Sequence, residues 1–307
     1  MENTRNKLKR RLKGGVSSKS KLSPFSITIL VFLILYTVII LGLFAWAFLR
    51  ACQDSTDFQS FYHTYGFPEK WVNNFKFVFD MEVTALNKNA ANFWTCLGNS
   101  LLYALGCAFF RTLVPCITAY ACARFNFKSS KVVYTIVLLM MIVPVVGNLS
   151  AELKLAKALG LYNHIWGMWI MSASMQGLYF FVMYGTFKAM PMGYTEAAKI
   201  DGANNFQIMV KIIFPLIINL FLTIILINFV EYWNNYQTPM LYLRSYPTLG
   251  YSLYYYGPGH LGRAPMELLE PTGLNALALM VMLPIFILFL IFQDKLMGNL
   301  TMGGLKG

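Results

Sequence analysis

The sequence predicts an all-α polytopic membrane protein with six transmembrane helices. Its 307 residues are 57% hydrophobic and only 12% charged, which is too apolar for an ordinary soluble domain. The mean hydropathy is positive, at +0.53. Runs long enough to cross a hydrocarbon core, which takes roughly 20 residues, fall near 25–49, 97–123, 132–148, 165–187, 212–233 and 273–292.

The net charge of +12 reflects topology and does not indicate a nucleic-acid partner. With the N-terminus placed in the cytoplasm, the inner segments carry sixteen Lys and Arg residues, eight of them before residue 25. The outer loops carry eight, spread over longer stretches and mixed with acidic residues. Because basic residues concentrate on the cytoplasmic side of membrane proteins, we expect both termini to be cytoplasmic.

Residues 1–24 are predicted to be a basic cytoplasmic tail, and residues 25–49 the first transmembrane helix. Ala45-Trp46-Ala47 raises the alternative of a cleaved signal peptide, but the apolar run far exceeds the 7–15 residues of a signal. Leu49-Arg50-Ala51-Cys52 has the outline of a lipoprotein cleavage site, although Arg50 is wrong for one. We therefore expect the first helix to be retained.

Residues 50–92 are predicted to form an extracellular loop, and residues 93–296 the transmembrane core with the other five helices. Aromatic residues at partly alternating spacing over 71–79 predict a small cap or strand pair in that loop. The third span is short, since Pro144 and Gly147 mark its end. Residues 297–307 would form a cytoplasmic C-terminal tail.

The cysteine and histidine patterns support neither a metal site nor catalysis. The five cysteines show no Cys-x-x-Cys pair and no histidine at ligand spacing, which leaves small core residues as their expected role. A pairing of Cys52 with Cys96 stays open. Residues 257–264 imitate a phosphate-binding loop but have Arg263 and Ala264 where Lys and Ser or Thr are required.

A polar segment, residues 189–211, separates the fourth and fifth spans. Pro191 and Gly193 end the preceding helix, and Thr195 is placed to cap the next one. That short helix should run to about Asp201. Gly202 is placed to adopt the left-handed conformation that ends a helix, and Asn204 or Asn205 to cap a second one. We call this predicted helix, turn and helix the elbow.

The elbow carries a family motif. It reads Glu196-Ala197-Ala198, three residues, Gly202, nine residues, Ile212, one residue and then Phe214-Pro215, which resembles the EAA loop of ABC-importer permeases. Phe214 departs from the leucine usual in that family, an apolar exchange. The resemblance implies docking of an ATPase subunit and assigns coupling roles to Glu196, Ala197, Ala198, Asp201, Gly202, Asn204 and Pro215.

The resemblance extends over residues 93–307. Gln293 and the segment 300–307 are similar to the tail of carbohydrate-importer permeases of the maltose MalG type. This implies a type I ABC importer permease fold and a tail that reaches the ATPase through Gly303, Gly304 and Lys306.

A permease of this kind is a transport subunit and not an enzyme. The resemblance implies a second homologous permease as heterodimer partner, two ATPase subunits that hold ATP and Mg, and an extracellular solute-binding lipoprotein. It further implies a carbohydrate substrate and a bacterial inner membrane, with no cofactor on this chain and no nucleic acid.

The substrate path is predicted from polar residues in the spans. Ionisable groups in a membrane are functional candidates by default, and sugar hydroxyls need donors and acceptors beside aromatic faces. The candidates are Arg111, Gln176, Tyr179, Asn228 and Glu231. Alternatives stay open: for Arg111, contact with the neighbouring permease or a structural pairing with a carboxylate or with helix carbonyls, and for the others hydrogen bonding between helices.

Three other functions compete with a sugar importer as interpretations of this sequence. An ABC importer for a non-sugar solute, such as a polyol or glycerol phosphate, fits the same motifs. An ion-driven secondary transporter predicts midplane acidic residues and inverted repeats, and the sequence shows neither. A polytopic membrane enzyme needs catalytic residues clustered at one face, whereas His63, His164 and His260 are scattered.

Overall fold

Helices make up nearly all of the described structure. The computed structural model describes residues 23–53, 72–84, 90–125, 129–143, 147–175, 177–257 and 271–302. The chain divides into two compact units, Met1–Leu49 and Arg50–Gly307. Predictions for the N-terminal tail, Gln176 and the tail residues Gly303, Gly304 and Lys306 lie outside the described residues.

The elements are numbered in chain order. The first part contains α1 (Pro24–Cys52), α2 (Val72–Phe79), β1 (Val83–Thr84), β2 (Ala90–Ala91), α3 (Phe93–Arg124), α4 (Ser130–Ile142), α5 (Leu149–Ala158) and α6 (Ile165–Ser172). The second contains α7 (Leu178–Ala189), α8 (Gly193–Ile200), α9 (Asn205–Ile208), a π-helical turn (Met209–Ile213), α10 (Phe214–Asn234), α11 (Gln237–Tyr242), α12 (Leu249–Tyr256) and α13 (Pro271–Met302).

Four helical segments within the described residues are long and apolar enough to cross a membrane. They are Pro24–Cys52, Phe93–Arg124, Asn205–Asn234 and Thr272–Gln293. The other two predicted spans differ from expectation. The predicted span 132–148 overlaps the 13-residue helix α4, which ends at Ile142, and residues 165–187 are divided between α6 and α7. Gly177, with φ of 115°, adopts a conformation that a continuous helix does not allow.

Helix α3 lies at the centre of the second unit, where it contacts α10, α7 and α6. Two glycines, Gly106 and Gly167, permit close packing around α6. A Cβ on Gly106 would overlap the indole of Trp169, whose Nε1 donates to the Leu102 carbonyl at 3.0 Å. A Cβ on Gly167 would overlap the backbone carbonyl oxygen of Leu161. Gly106 therefore determines how closely α3 approaches Trp169 of α6, and Gly167 determines how closely α6 approaches Leu161.

The segment before α3, which we call the cap, contains α2 and a short strand pair. The aromatic spacing over 71–79 was expected to form a small cap or strand pair, but 72–79 are helical and the strands follow them. Strands β1 and β2 pair antiparallel, with Val83 opposite Ala91. The Asn74 side chain donates to the carbonyls of Ala51 and Gln53 at 2.9 and 2.7 Å. Cys52 and Cys96 are both buried as free thiols, so the open disulfide pairing is not made.

Several aromatic residues between Tyr232 and Tyr256 are packed into the protein. Trp233 is buried and donates through Nε1 to the Val281 carbonyl at 3.1 Å. The Tyr256 hydroxyl donates to the Glu82 carbonyl. Burial, with Glu152 nearby, raises the pKa of Tyr242, whose hydroxyl donates to Glu152 Oε2 at 3.4 Å. These bonds join α10 to α13, α12 to the cap, and α11 to α5.

Candidate functional site

The elbow is a helix, a tight turn and a second helix. Helix α8 is followed by Gly202 with φ of 81°, the left-handed conformation expected from the sequence. Asn204 then caps α9: Gln207 N–H donates to Asn204 Oδ1 at 2.8 Å, and Asn204 N–H donates to Gln207 Oε1 at 3.0 Å. This reciprocal capping box satisfies two backbone donors at the helix start.

Thr195 does not cap α8 as expected. The helix begins one turn earlier, with Met192 as its N-cap and no side-chain cap hydrogen bond. Thr195 therefore lies inside the first turn. Its Oγ1 is buried and has no hydrogen-bond partner within the described part of the chain.

The motif residues divide between an open and a buried face. Glu196 and Ala197 are exposed, whereas Ala198 is only 4% exposed and packs in a cluster with Phe187 and Ile208. Ala198 thus attaches the elbow to the helices behind it, so its coupling role would be to hold α8 in place and not to offer an outward surface.

Sequence reasoning missed two exposed apolar side chains on the elbow. Ile200 is 87% exposed and Phe206 is 70% exposed, one on each side of the Gly202 turn. Large apolar groups held in solvent at a turn are typical of a protein interaction surface. Their position in an otherwise polar segment was the signal that could have identified them.

The elbow continues without a break into α10. The π-helical turn Met209–Ile213 joins α9 to α10, and the Phe214 N–H donates to the Met209 carbonyl. Pro215 follows, with no N–H of its own, and local π-helical adjustments are one way a helix accommodates proline. Because the helical run Asn205–Asn234 is continuous, a displacement of α9 is carried directly into α10.

Replacing Gly202 should loosen the elbow. In Gly202→Ala the residue must hold φ near 81° with a Cβ, which costs roughly 1–2 kcal/mol. We expect faster proteolysis and faster hydrogen exchange in residues 189–211 of the variant. Gly193→Ala is the matched control, since Gly193 lies in the same elbow without a positive φ and with open space at its Cβ position. Equal exchange in the two variants would contradict the prediction.

A second polar site lies between α3 and α10. Arg111 Nη1 is 3.3 Å from Glu231 Oε1 and donates to the Tyr232 hydroxyl at 3.2 Å. The guanidinium carbon is 5.5 Å from the centroid of the Tyr232 ring. Tyr179 is half-buried on α7, a helix that packs against α3. The structure thus pairs Arg111 with Glu231, the carboxylate partner that one of the alternatives expected for Arg111.

Asn228 lies elsewhere than predicted. It is 0% exposed and donates through Nδ2 to Thr112 Oγ1 on α3 at 3.0 Å. An amide buried between two helices stabilises their packing, and it offers no group to a passing solute. The alternative of hydrogen bonding between helices therefore applies to Asn228.

Comparison with known proteins gives one family and several relatives. The family described as "binding-protein-dependent transport system inner membrane component" matches residues 112–296. The melibiose/raffinose/stachyose import permease protein MelC of Bacillus subtilis is 30% identical over 240 residues, which cover 76% of this chain and 84% of MelC. The maltodextrin permease MdxG of the same species is 28% identical, with coverage of 78% and 83%.

A solved structure has a similar fold. It is described as the crystal structure of a bacterial ABC transporter involved in the import of the acidic polysaccharide alginate. The similar chain in that structure matches with a TM-score of 0.74 at 21% identity, and the match covers 91% of this chain and 98% of the other. At 21% identity, this match shows only that the two chains share a similar arrangement of helices.

Proposed function

Because this chain belongs to the family of binding-protein-dependent transport system inner membrane components, we propose that it is the permease subunit of an ABC importer for a sugar or oligosaccharide. It is a transport subunit and not an enzyme. The observation that carries the substrate class is the set of relatives, whose names specify melibiose, raffinose and stachyose, maltodextrin, or arabinooligosaccharides. The family works with a solute-binding protein and an ATPase.

The elbow is the docking site for the ATPase. Glu196 and Ala197 on α8 are exposed, and Ile200 and Phe206 add apolar surface beside them. Asp201, Gly202 and Asn204 shape the turn, and Pro215 lies where the elbow joins α10. ATP and Mg bind on the partner ATPase. Closure of two ATPase subunits would move the elbow and, through the continuous helix, tilt α10.

The assembly and topology follow from the resemblance. This chain pairs with a second homologous permease, and an extracellular solute-binding lipoprotein delivers the solute. The chain crosses the membrane six times, with α4 and the broken pair α6 and α7 supplying the two crossings that the four long helices do not. Both termini are cytoplasmic, and Gly303, Gly304 and Lys306 contact the ATPase.

Transport follows alternating access, in which nucleotide and loaded binding protein stabilise different states of the bundle. Arg111, Tyr179 and Glu231 line the substrate path. Gln176 is included with them because it adjoins α7 in sequence. The half-exposed charged pair supports this placement, since charges on membrane helices face water or protein.

Affinity purification of the chain from its native membrane in mild detergent tests the proposal. We expect an ATPase and a second permease to co-purify, and the associated binding protein to retain an oligosaccharide in a ligand screen. Recovery of the chain alone or as a homo-oligomer would contradict the importer and favour an ion-driven transporter. Retention of a polyol or glycerol phosphate would contradict the sugar assignment.

A further inference from the structure

We propose that Arg111, Glu231, Tyr179 and Tyr232 form a sugar subsite on this chain that accepts uncharged sugars and discriminates against acidic ones. The inference rests on the proposed function and specifies its substrate class more closely. The ion pair joins α3 to α10, and the Tyr232 ring lies beside it.

The pair lies on an accessible surface. The side chains of Arg111 and Glu231 are 36% and 51% exposed, although both residues belong to helices that are long and apolar enough to cross a membrane. Charged groups on such helices avoid lipid and face water-filled cavities or other protein. The exposed side of the pair therefore faces either the solute path or a neighbouring subunit.

The geometry of the pair suits sugar hydroxyls. Arg111 Nη1 is engaged by Glu231 Oε1 and by the Tyr232 hydroxyl, at 3.3 and 3.2 Å. The guanidinium has further N–H donors and the carboxylate has a second oxygen. Within the described residues, no contact engages Arg111 Nη2 or Glu231 Oε2. Donor and acceptor thus lie side by side, as neighbouring hydroxyls of a pyranose require.

Aromatic rings flank the charged pair. Tyr232 is held by the guanidinium and by an edge-to-face contact with Tyr103 at 5.7 Å between ring centroids. Tyr179 is half-buried on α7, which packs against the helix that carries Arg111. Ligand pockets combine apolar and aromatic surface with a few fixed polar groups. A sugar presents the same two features, an apolar ring face and a polar hydroxyl edge.

The balance of charge sets the selectivity. Arg111 and Arg124 are the only charged residues of α3, and Glu231 is the only one of α10. Paired at 3.3 Å, Arg111 and Glu231 sum to zero. An acidic sugar would bring its carboxylate beside Glu231 and would have to displace that side chain to reach Arg111. An uncharged sugar hydrogen-bonds to both groups and leaves the pair intact.

Removing the Glu231 charge should reverse this preference. Glu231→Gln keeps the shape and leaves Arg111 as a net positive charge, so acidic sugars gain an attractive partner. The assay is saturation-transfer NMR on the complete purified complex in nanodiscs, titrated with raffinose or trigalacturonate. We expect the binding ratio of trigalacturonate to raffinose to rise at least about tenfold in the variant. Glu152→Gln, which contacts Asn148 and Tyr242 instead, should leave the ratio unchanged.

A second variant separates shape from charge. Tyr179→Ala removes an aromatic face without altering the net charge, and we expect raffinose binding to weaken without any gain for trigalacturonate. An unchanged ratio in Glu231→Gln, or no detectable binding of either sugar to any of the proteins, would overturn the inference. Loss of the second permease from the Glu231→Gln complex would also overturn it, because the pair would then belong to a subunit interface.

The proposed function and the inference about the sugar subsite are contradicted by different results. Binding is measured without ATP, so its outcome does not depend on whether the elbow docks an ATPase. Absence of an ATPase from the purified complex overturns the proposed function. An unchanged sugar preference in Glu231→Gln, with the ATPase present, overturns only the inference about this subsite.

Discussion

Replacing Glu196 by alanine is expected to detach the ATPase. Glu196 is exposed on α8, and no salt bridge joins it to another of the described residues, so its carboxylate is available to a basic group on the partner. Truncating one member of a buried interfacial charge pair costs about 2–5 kcal/mol, largely because the other charge is left unpaired. Binding should weaken by about 30-fold to several thousandfold.

The measurement is co-purification of the ATPase with the tagged chain, followed by titration of purified ATPase onto the permease complex. Glu152→Ala removes a glutamate from α5, far along the chain from the elbow, and should retain the ATPase. Glu196→Gln tests whether charge or shape matters, and we expect it to behave like the alanine variant. Full ATPase recovery with Glu196→Ala would remove Glu196 from the docking site.

Replacing Gly167 by alanine is expected to destabilise the fold by about 3 kcal/mol, the upper end of the range for overpacking. The added Cβ would overlap the carbonyl oxygen of Leu161. A flexible side chain can move aside, but this oxygen belongs to the backbone just before α6. The turn that contains Leu161 and the start of α6 must therefore move apart, and the packing between them would weaken.

Thermal unfolding in detergent, monitored by loss of the monodisperse complex in size-exclusion chromatography, measures this effect. We expect the midpoint to fall by several degrees in Gly167→Ala. The matched control is Gly98→Ala on α3, where a Cβ meets open space and where alanine favours helix over glycine by about 1 kcal/mol. Its midpoint should stay level or rise. A midpoint in Gly167→Ala equal to that of the control would contradict the packing argument.

Local features of the elbow were predictable because neighbouring residues determine them. Gly202 adopts the expected left-handed conformation, and Asn204 makes the expected cap. Thr195 was wrong as a cap because α8 already begins at Gly193, with Met192 as its N-cap. The burial of Ala198 was not predictable, because it depends on packing with Phe187 of α7 and Ile208 of α9, which a local pattern does not contain.

The contacts of the candidate substrate-path residues also could not be predicted from the sequence. Arg111 and Glu231 were identifiable as rare charges in apolar spans, but their separation in sequence says nothing about the 3.3 Å that joins them. Asn228 lies only three residues before Glu231, on nearly the same face of α10, yet it is fully buried against Thr112 of α3 while the Glu231 side chain is 51% exposed. Polarity alone could not tell the two apart.

The sequence by itself determined the membrane setting, the family motif and the conformation of the elbow turn, because hydropathy, spacing and backbone preference act over short stretches of chain. Only the tertiary structure decided which motif residues are exposed, that one predicted span is broken at Gly177, and that Arg111 meets Glu231 beside Tyr232. Those facts depend on contacts between helices distant in sequence, and such contacts are fixed by packing against α3.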